Sequence, residues 1–149
     1  MIKIIFFIFI SLNIAQAETL CAPIEETLFQ CKLEKTTKSV SLCLKKDLNK
    51  VYYKFGTLDK IEITLPNEKS SRVYLSNEQF GPSRFQWIKK ISFPIGKLEY
   101  VLSTPQGISV LLSVEGLKKN VNFSCDEGNS GPELSDAYEL MKKIGYQEK

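Results

Sequence analysis

The sequence contains no histidine. That absence removes the Ser-His-Asp and Cys-His nucleophile systems, whose proton shuttle is an imidazole, and with them the commonest metal ligand. No C-x-x-C pair occurs either, so neither a zinc ribbon nor a thioredoxin-type redox site has sulfurs at workable spacing. Phosphate-cradling glycine loops and calcium-loop patterns are missing. An S-x-x-K motif at a helix start is missing too: "SLCLK" has the wrong spacing and the alternation of a strand. Charge does not gather in blocks: 20 Lys and Arg against 17 Asp and Glu give a net +3 spread along the chain, which offers nucleic acid no electrostatic footprint. These absences predict a chain with no catalytic residue, no cofactor and no metal.

What is present begins with a leader. "MIKIIFFIFISLNIAQA" carries Lys3, an apolar run from Ile4 to Ile14, and the small residues Ala15 and Ala17 around Gln16. This is the layout of a secretory signal peptide over residues 1–17, cleaved near Ala17. The apolar run is shorter than the roughly 20 residues a bilayer-spanning helix needs, and no later stretch matches it. The expected product is a periplasmic or secreted protein with no integral membrane segment. Leu20 rather than a small residue precedes Cys21, which sets lipidation aside. Residues 18–149, about 130, suit a single domain that hides about two thirds of its unfolded surface.

Four cysteines, Cys21, Cys31, Cys43 and Cys125, follow the leader, and export places them where thiols oxidise. An even count predicts two disulfides, of which four cysteines allow three pairings. "TLFQC" and "SVSLCL" alternate as strands on either side of the polar "KLEKTTK". A hairpin there favours Cys31 with Cys43, leaving Cys21 with Cys125 to tie the start of the domain to its last strand.

Further strands are predicted at 50–56, 60–66, 71–75, 87–93, 97–104, 108–114 and 117–125, where β-branched and aromatic residues alternate between turn residues. Residues 79–87, "QFGPSRFQW", break the pattern at Gly81-Pro82 and read as a loop entering a strand. About eight short strands at a spacing near ten predict a mainly β antiparallel barrel or sandwich. The period then changes: Leu134, Ala137, Tyr138, Met141 and Ile144 fall on one stripe, predicting a C-terminal helix over about 132–144. Pro132 would open it, Ser130 would cap it and Gly145 would end it.

A rigid exported β module without catalytic equipment is expected to act by binding. The preferred surface is Phe80, Gly81, Ser83, Arg84 and Phe85 with Trp87, because aromatics and arginine supply most interface anchors. A competing reading places Phe85, Trp87 and Phe93 in the core, and for Trp87 it is the stronger of the two. The acidic residues Glu25, Glu26, Glu62, Glu78, Glu99 and Glu115 are expected in solvated or ion-paired roles, with a carboxylate hydrolase as the remote alternative.

The succession Cys21, "LFQC", "KSVSLC", "VYYKFG", "IEITLP", "LEYVL", "GISVLL" and "NFSC" resembles a group of small exported bacterial proteins of uncharacterised function. More distantly, an exported signal with paired cysteines and a small antiparallel barrel is similar to periplasmic lysozyme inhibitors. That resemblance implies a loop carrying serine, glycine and tyrosine that plugs a hydrolase cleft. Its nearest matches are Gly81 and Ser83 in "FGPSRFQW", and Gly96 with Tyr100 in "FPIGKLEY". The expected function is to bind and neutralise another protein, either a lysozyme-type cell-wall hydrolase or a competitor's toxin. The alternative is a module that takes a small apolar ligand or a cell-envelope component inside the barrel.

Overall fold

The computed structural model describes residues 19–67, 72–80, 86–105, 110–116, 118–126 and 132–149, without the side chains of Phe80 and Gln86. Two antiparallel sheets pack as a sandwich, and they do not close into a barrel. The first holds β1 (Glu26–Lys32), β2 (Ser39–Lys45), β3 (Lys50–Thr57) and β4 (Lys60–Leu65) in sequence order. The second holds β5 (Tyr74–Phe80), β6 (Gln86–Ile95), β7 (Leu98–Ser103), β8 (Leu111–Glu115) and β9 (Val121–Ser124), again in order. Both are meanders, as short connections between alternating segments require. The strand predicted at 71–75 lies later, at Tyr74–Phe80, and the residues at the edges of the predicted loop are paired: Gln79 opposes Trp87 and Phe80 opposes Gln86.

Alternation decides which side chains meet. In the first sheet Phe29, Leu42, Tyr53 and Leu65 form one inward row, and Cys31, Val40, Phe55 and Ile63 the next. From the second sheet Leu75, Ile91, Leu102, Leu112 and Phe123 face them. Tyr53 and Phe93 are fully buried at the centre, with ring centroids 5.2 Å apart, and Tyr100 lies 5.7 Å from Tyr53. The Tyr53 hydroxyl is buried with no hydrogen-bond partner among the described residues, and desolvation followed by the neighbouring Tyr100 pushes its ionisation far above the ordinary phenol range. A bulge lets β4 follow the twist of β3 at Gly56, whose φ is +151° and where a Cβ would strike the carbonyl oxygen of Lys60.

The helix α1 (Leu134–Lys143) buries Leu134, Ala137, Tyr138 and Met141 against β1 and β6, with Ile144 partly buried after it. It starts two residues later than predicted, with Glu133 at the N-cap and no side-chain cap. Pro132 therefore precedes it, and Ser130 lies outside the described residues. At the other end the amide of Tyr146 donates to Met141 O and that of Gly145 to Lys142 O, the paired bonds of a Schellman turn, with Gly145 at φ +108° as such a turn needs. The reversal sends residues 146–149 back along the sandwich. Val51 N donates to the Tyr146 hydroxyl at 2.9 Å, and Lys149 N donates to Leu75 O at 2.8 Å, so this tail touches both sheets.

Two disulfides complete the fold, and their connectivity corrects the expected one. Cys21 bonds Cys43, and Cys31 bonds Cys125. The reason is parity. Cys31 opposes Val40 across the β1–β2 hairpin, so it shares the inward face of Val40, Leu42 and Leu44; Cys43 lies on the opposite face with Ser41. Two cysteines on opposite faces of one hairpin cannot join. Cys31 instead reaches Cys125 at the end of β9, where Leu33 bridges Cys125, Glu34 N donates to Ser124 O and Asp126 N donates to Lys32 O. Cys43 holds Cys21, and with it a strap, residues 19–25, laid over the outer face of the first sheet: Leu20 is buried there and its amide donates to Ser41 Oγ.

Candidate functional site

The outer face of the five-stranded sheet is unusual in its side-chain sizes. Each strand contributes one serine to it, Ser76, Ser92, Ser103, Ser113 and Ser124. Across the sheet they form two adjacent rows: Tyr74, Ser92, Val101, Ser113, Asn122 and Ser76, Lys90, Ser103, Leu111, Ser124. Small side chains in the middle of a sheet, with long ones around them, leave a depression. Val101 is its floor and is only 4% exposed although, among the described residues, no second sheet covers this face; Ser92 and Ser103 are buried beside it. The resulting groove encloses about 310 Å³ and is rimmed by Tyr74, Glu78, Lys90, Glu99, Glu115 and Lys149.

Its charges are unevenly satisfied. Of the acidic residues singled out from the sequence, Glu25 pairs with Lys54 at 2.6 Å, Glu26 with Lys46 at 2.8 Å, Glu62 with Lys38 at 2.8 Å and Glu78 with Lys90 at 2.6 Å. Glu99 and Glu115 make no ion pair among the described residues, and they face each other directly across β7 and β8. Like charges at directly opposed positions of a sheet destabilise it. Tyr74 forms the opposite wall, with Lys149 Nζ 3.4 Å from its ring centroid and the Arg72 side chain hydrogen-bonded to it. Asn77 opposes Lys89 on the inward face of β5, in line with Leu75, and its Oδ1 is buried there without a partner among the described residues.

Paired carboxylates do hydrolytic work when an apolar wall distinguishes one from the other. Here both stand half-buried on one sheet face, beside serines, a tyrosine and lysines, so their surroundings are alike. The one group of metal-ligand type whose donor atoms gather within 4.8 Å, among the described residues, is Cys21, Glu25 and Cys43. Its sulfurs are bonded to each other and its carboxylate is held by Lys54. Burial alone would push the Glu25 carboxyl up; the hydrogen bonds from Lys54 and the Ala22 amide, with the charges of Lys54 and Lys45, outweigh it and hold Glu25 below the usual carboxylate range.

The residues chosen from the sequence fall in separate places. Gly81, Ser83, Arg84 and Phe85 lie outside the described residues, and Phe80 ends β5 opposite Gln86. Gly96 is at the turn between β6 and β7, at φ +60° with open space around it, the far end of ten-residue β6 from Phe80, or about 30 Å at the rise of a strand. Tyr100 faces inward onto Tyr53 and Phe93, so it belongs to the core side of β7 while its neighbour Glu99 faces the groove. Trp87 corrects the reading that placed it in the core: it occupies an inward-facing position of β6 but is 53% exposed, two residues beyond Lys89, whose ammonium binds Glu139 at 2.7 Å over the Tyr138 ring. Phe93, by contrast, is fully buried as that reading expected. Glu99 and Glu115 were visible as acidic residues; their opposition and the serine floor depend on strand register. Comparison with protein-family models, curated proteins and solved structures finds no match.

Proposed function

We propose that this is an exported, periplasmic protein that binds and neutralises another protein without catalysis, the target being a lysozyme-type cell-wall hydrolase or a competitor's toxin. The observation that carries the reading is Trp87, a large aromatic left 53% exposed on the β5–β6 hairpin of a fold that buries Phe29, Tyr53 and Phe93 and partly buries Phe55, Tyr100 and Phe123. Tryptophan is enriched among the residues that dominate interface energies, since it offers large area at little entropic cost. Two disulfides fit an oxidising compartment, and among the described residues no helix is long and apolar enough to cross a membrane. The resemblance to periplasmic lysozyme inhibitors supports the same class. The space between the sheets is filled by Tyr53, Phe93, Leu42, Leu102 and their neighbours, so no observation favours a ligand carried inside.

The test mixes the purified mature protein with a panel of lysozymes and follows cell-wall lysis. Inhibition at stoichiometric protein, weakened by Trp87→Ala, is expected; unaffected lysis across the panel at excess removes the lysozyme version. For the toxin version, producing cells should survive the product of a neighbouring toxin gene and lose that protection with Trp87→Ala.

A further inference from the structure

We infer that the Cys21–Cys43 bridge is a thiol-exchange site, attacked at Cys21 Sγ by the thiolate of a dithiol reductant, and that its opening lifts the strap of residues 19–25 while the sandwich stays folded. Such a site lies outside the binding reading and does not need it. Three features carry it: which sulfur is accessible, where the bridge sits in the fold, and what the strap covers.

The two bridges differ in access. Cys31 and Cys125 are 1% and 7% exposed and belong to the core cluster, so a reagent reaches them only if the sheets part. Cys43 is fully buried, but its partner Cys21 is half-buried on the outer side of the first sheet. Thiol exchange depends on access as well as on the attacking thiol, and access here is through Cys21.

The incoming thiolate bonds to Cys21 Sγ as the Cys21–Cys43 bond breaks, and Cys43 leaves as a thiolate that takes a proton from water. The reductant's second thiol, ionised in turn, attacks the reductant's own sulfur in the mixed disulfide and releases the Cys21 thiolate, which is also protonated. Two electrons pass to the bridge, and the reductant ends as a disulfide. Two charges act on the departing Cys43 thiolate. Lys54, diagonal to Cys43 on the same face of β2 and β3, favours it; the Glu25 carboxylate, within 4.8 Å of both sulfurs, opposes it.

Without the bridge the strap keeps few ties: buried Leu20, whose amide donates to Ser41 Oγ at 3.1 Å, the Thr19–Thr27 hydroxyl contact at 3.0 Å, and Glu25 on Lys54 at 2.6 Å. Against them stands the conformational freedom of seven residues, so the covalent link decides whether the strap stays down. Beneath it Gln30, Ser41 and Lys54 form one row across β1, β2 and β3, all buried although, among the described residues, no second sheet covers this face. Opening exposes that row together with the Cys43 thiol. The frame does not need the bridge, because residues 19–25 belong to no strand and Cys31–Cys125 still joins the sheets.

The mature protein is equilibrated with rising dithiothreitol, quenched in acid, alkylated with N-ethylmaleimide and peptide-mapped. Cys21 and Cys43 should become alkylated at dithiothreitol concentrations at least about tenfold below those that open Cys31–Cys125. Brief exposure to glutathione, a monothiol, should leave its adduct on Cys21 and not on Cys43. Amide hydrogen exchange of the singly reduced protein should show residues 19–25 losing protection while β2, β3 and β6 keep theirs. Cys21→Ala with Cys43→Ala should fold and show that same exchange with or without dithiothreitol. Glu25→Gln should speed the opening, since it removes both an opposing charge and a tether. Simultaneous opening of the two bridges, earlier opening of Cys31–Cys125, or glutathione recovered on Cys43 would each overturn the inference. So would a strap that stays protected after its bridge opens, or a double variant that does not fold.

Discussion

The two disulfides have unequal work to do, and that inequality can be measured. Cys31–Cys125 joins positions 94 residues apart and fastens the end of β1 to the end of β9, one sheet to the other. Cys21–Cys43 joins positions 22 apart and fastens a strap to the outside of a single sheet. In the chain-entropy account, closing these loops in the unfolded chain contributes about 4.7 and about 3.4 kcal/mol respectively. Cys31, Cys43 and Cys125 are buried and Cys21 is half-buried, so packing losses do not favour the strap bridge, and the loops alone make the first bridge worth about 1.3 kcal/mol more.

The variants to compare are Cys31→Ala with Cys125→Ala and Cys21→Ala with Cys43→Ala, paired so that no free thiol is left to mispair. Urea unfolding should show both destabilised and the first more so, with a steeper dependence on urea in each because the unfolded chain can expand further. Total stabilities of single domains run about 5–15 kcal/mol, so the first variant is expected to sit close to unfolding at ambient temperature. Peptide mapping of the native protein should recover Cys21 with Cys43 and Cys31 with Cys125. A larger loss from the strap bridge, or a recovered Cys31–Cys43 peptide, refutes the argument from face parity.

Other consequences follow from contacts under the strap, the bulge and the tail. Lys54→Met should cost about 3 kcal/mol in urea unfolding, the low end for breaking a buried pair because the Lys54 and Glu25 side chains keep 10% and 11% of their surface exposed, and adding Glu25→Leu should recover most of it. Gly56→Ala should lower the melting temperature clearly, since a Cβ there meets the Lys60 carbonyl at a φ that side-chain-bearing residues rarely adopt. Trp87→Ala, by contrast, should cost about 1–2 kcal/mol for the half of the side chain that is covered, so a loss of about 3–5 kcal/mol, that of a buried tryptophan, would place Trp87 in the core after all. Acid should loosen the fold: Glu25, Glu139 and Glu148 are all held below their ordinary value near 4.5, so the stability they contribute is complete above that value and is lost as pH falls through their lowered folded values. A melting temperature that stayed flat from pH 5 to about pH 2 would contradict those contacts.

The strands were legible because alternation is a local property: "SVSLCL" and "KVYYKFG" each announce a pleat that no distant contact is needed to read. The helix was legible for the same reason, through the stripe Leu134, Ala137, Tyr138 and Met141. Disulfide pairing was not, because it turns on parity across the hairpin. Whether Cys31 and Cys43 share a face depends on which residue opposes Cys31, and the hairpin turn, not the strand pattern, decides that this is Val40. Trp87 failed differently. Its alternation correctly gives an inward position, but what covers that position is set by the helix, whose Tyr138 and Glu139 engage Lys89 and leave Trp87 beyond them.

The groove shows the limit most sharply. Each serine, read within its own strand, is an ordinary outward polar residue, and Glu99 in "LEYVL" or Glu115 in "SVEG" gives no sign of the other. Only when β5 to β9 are laid side by side do small hydroxyls fall in adjacent rows and the two carboxylates come face to face. A cross-strand repulsion that simply lowered stability is removed by one change, Glu to Gln, at either site. The bridges and the packed core hold the frame rigid, so the arrangement of this face is set by the fold itself and not by any ligand.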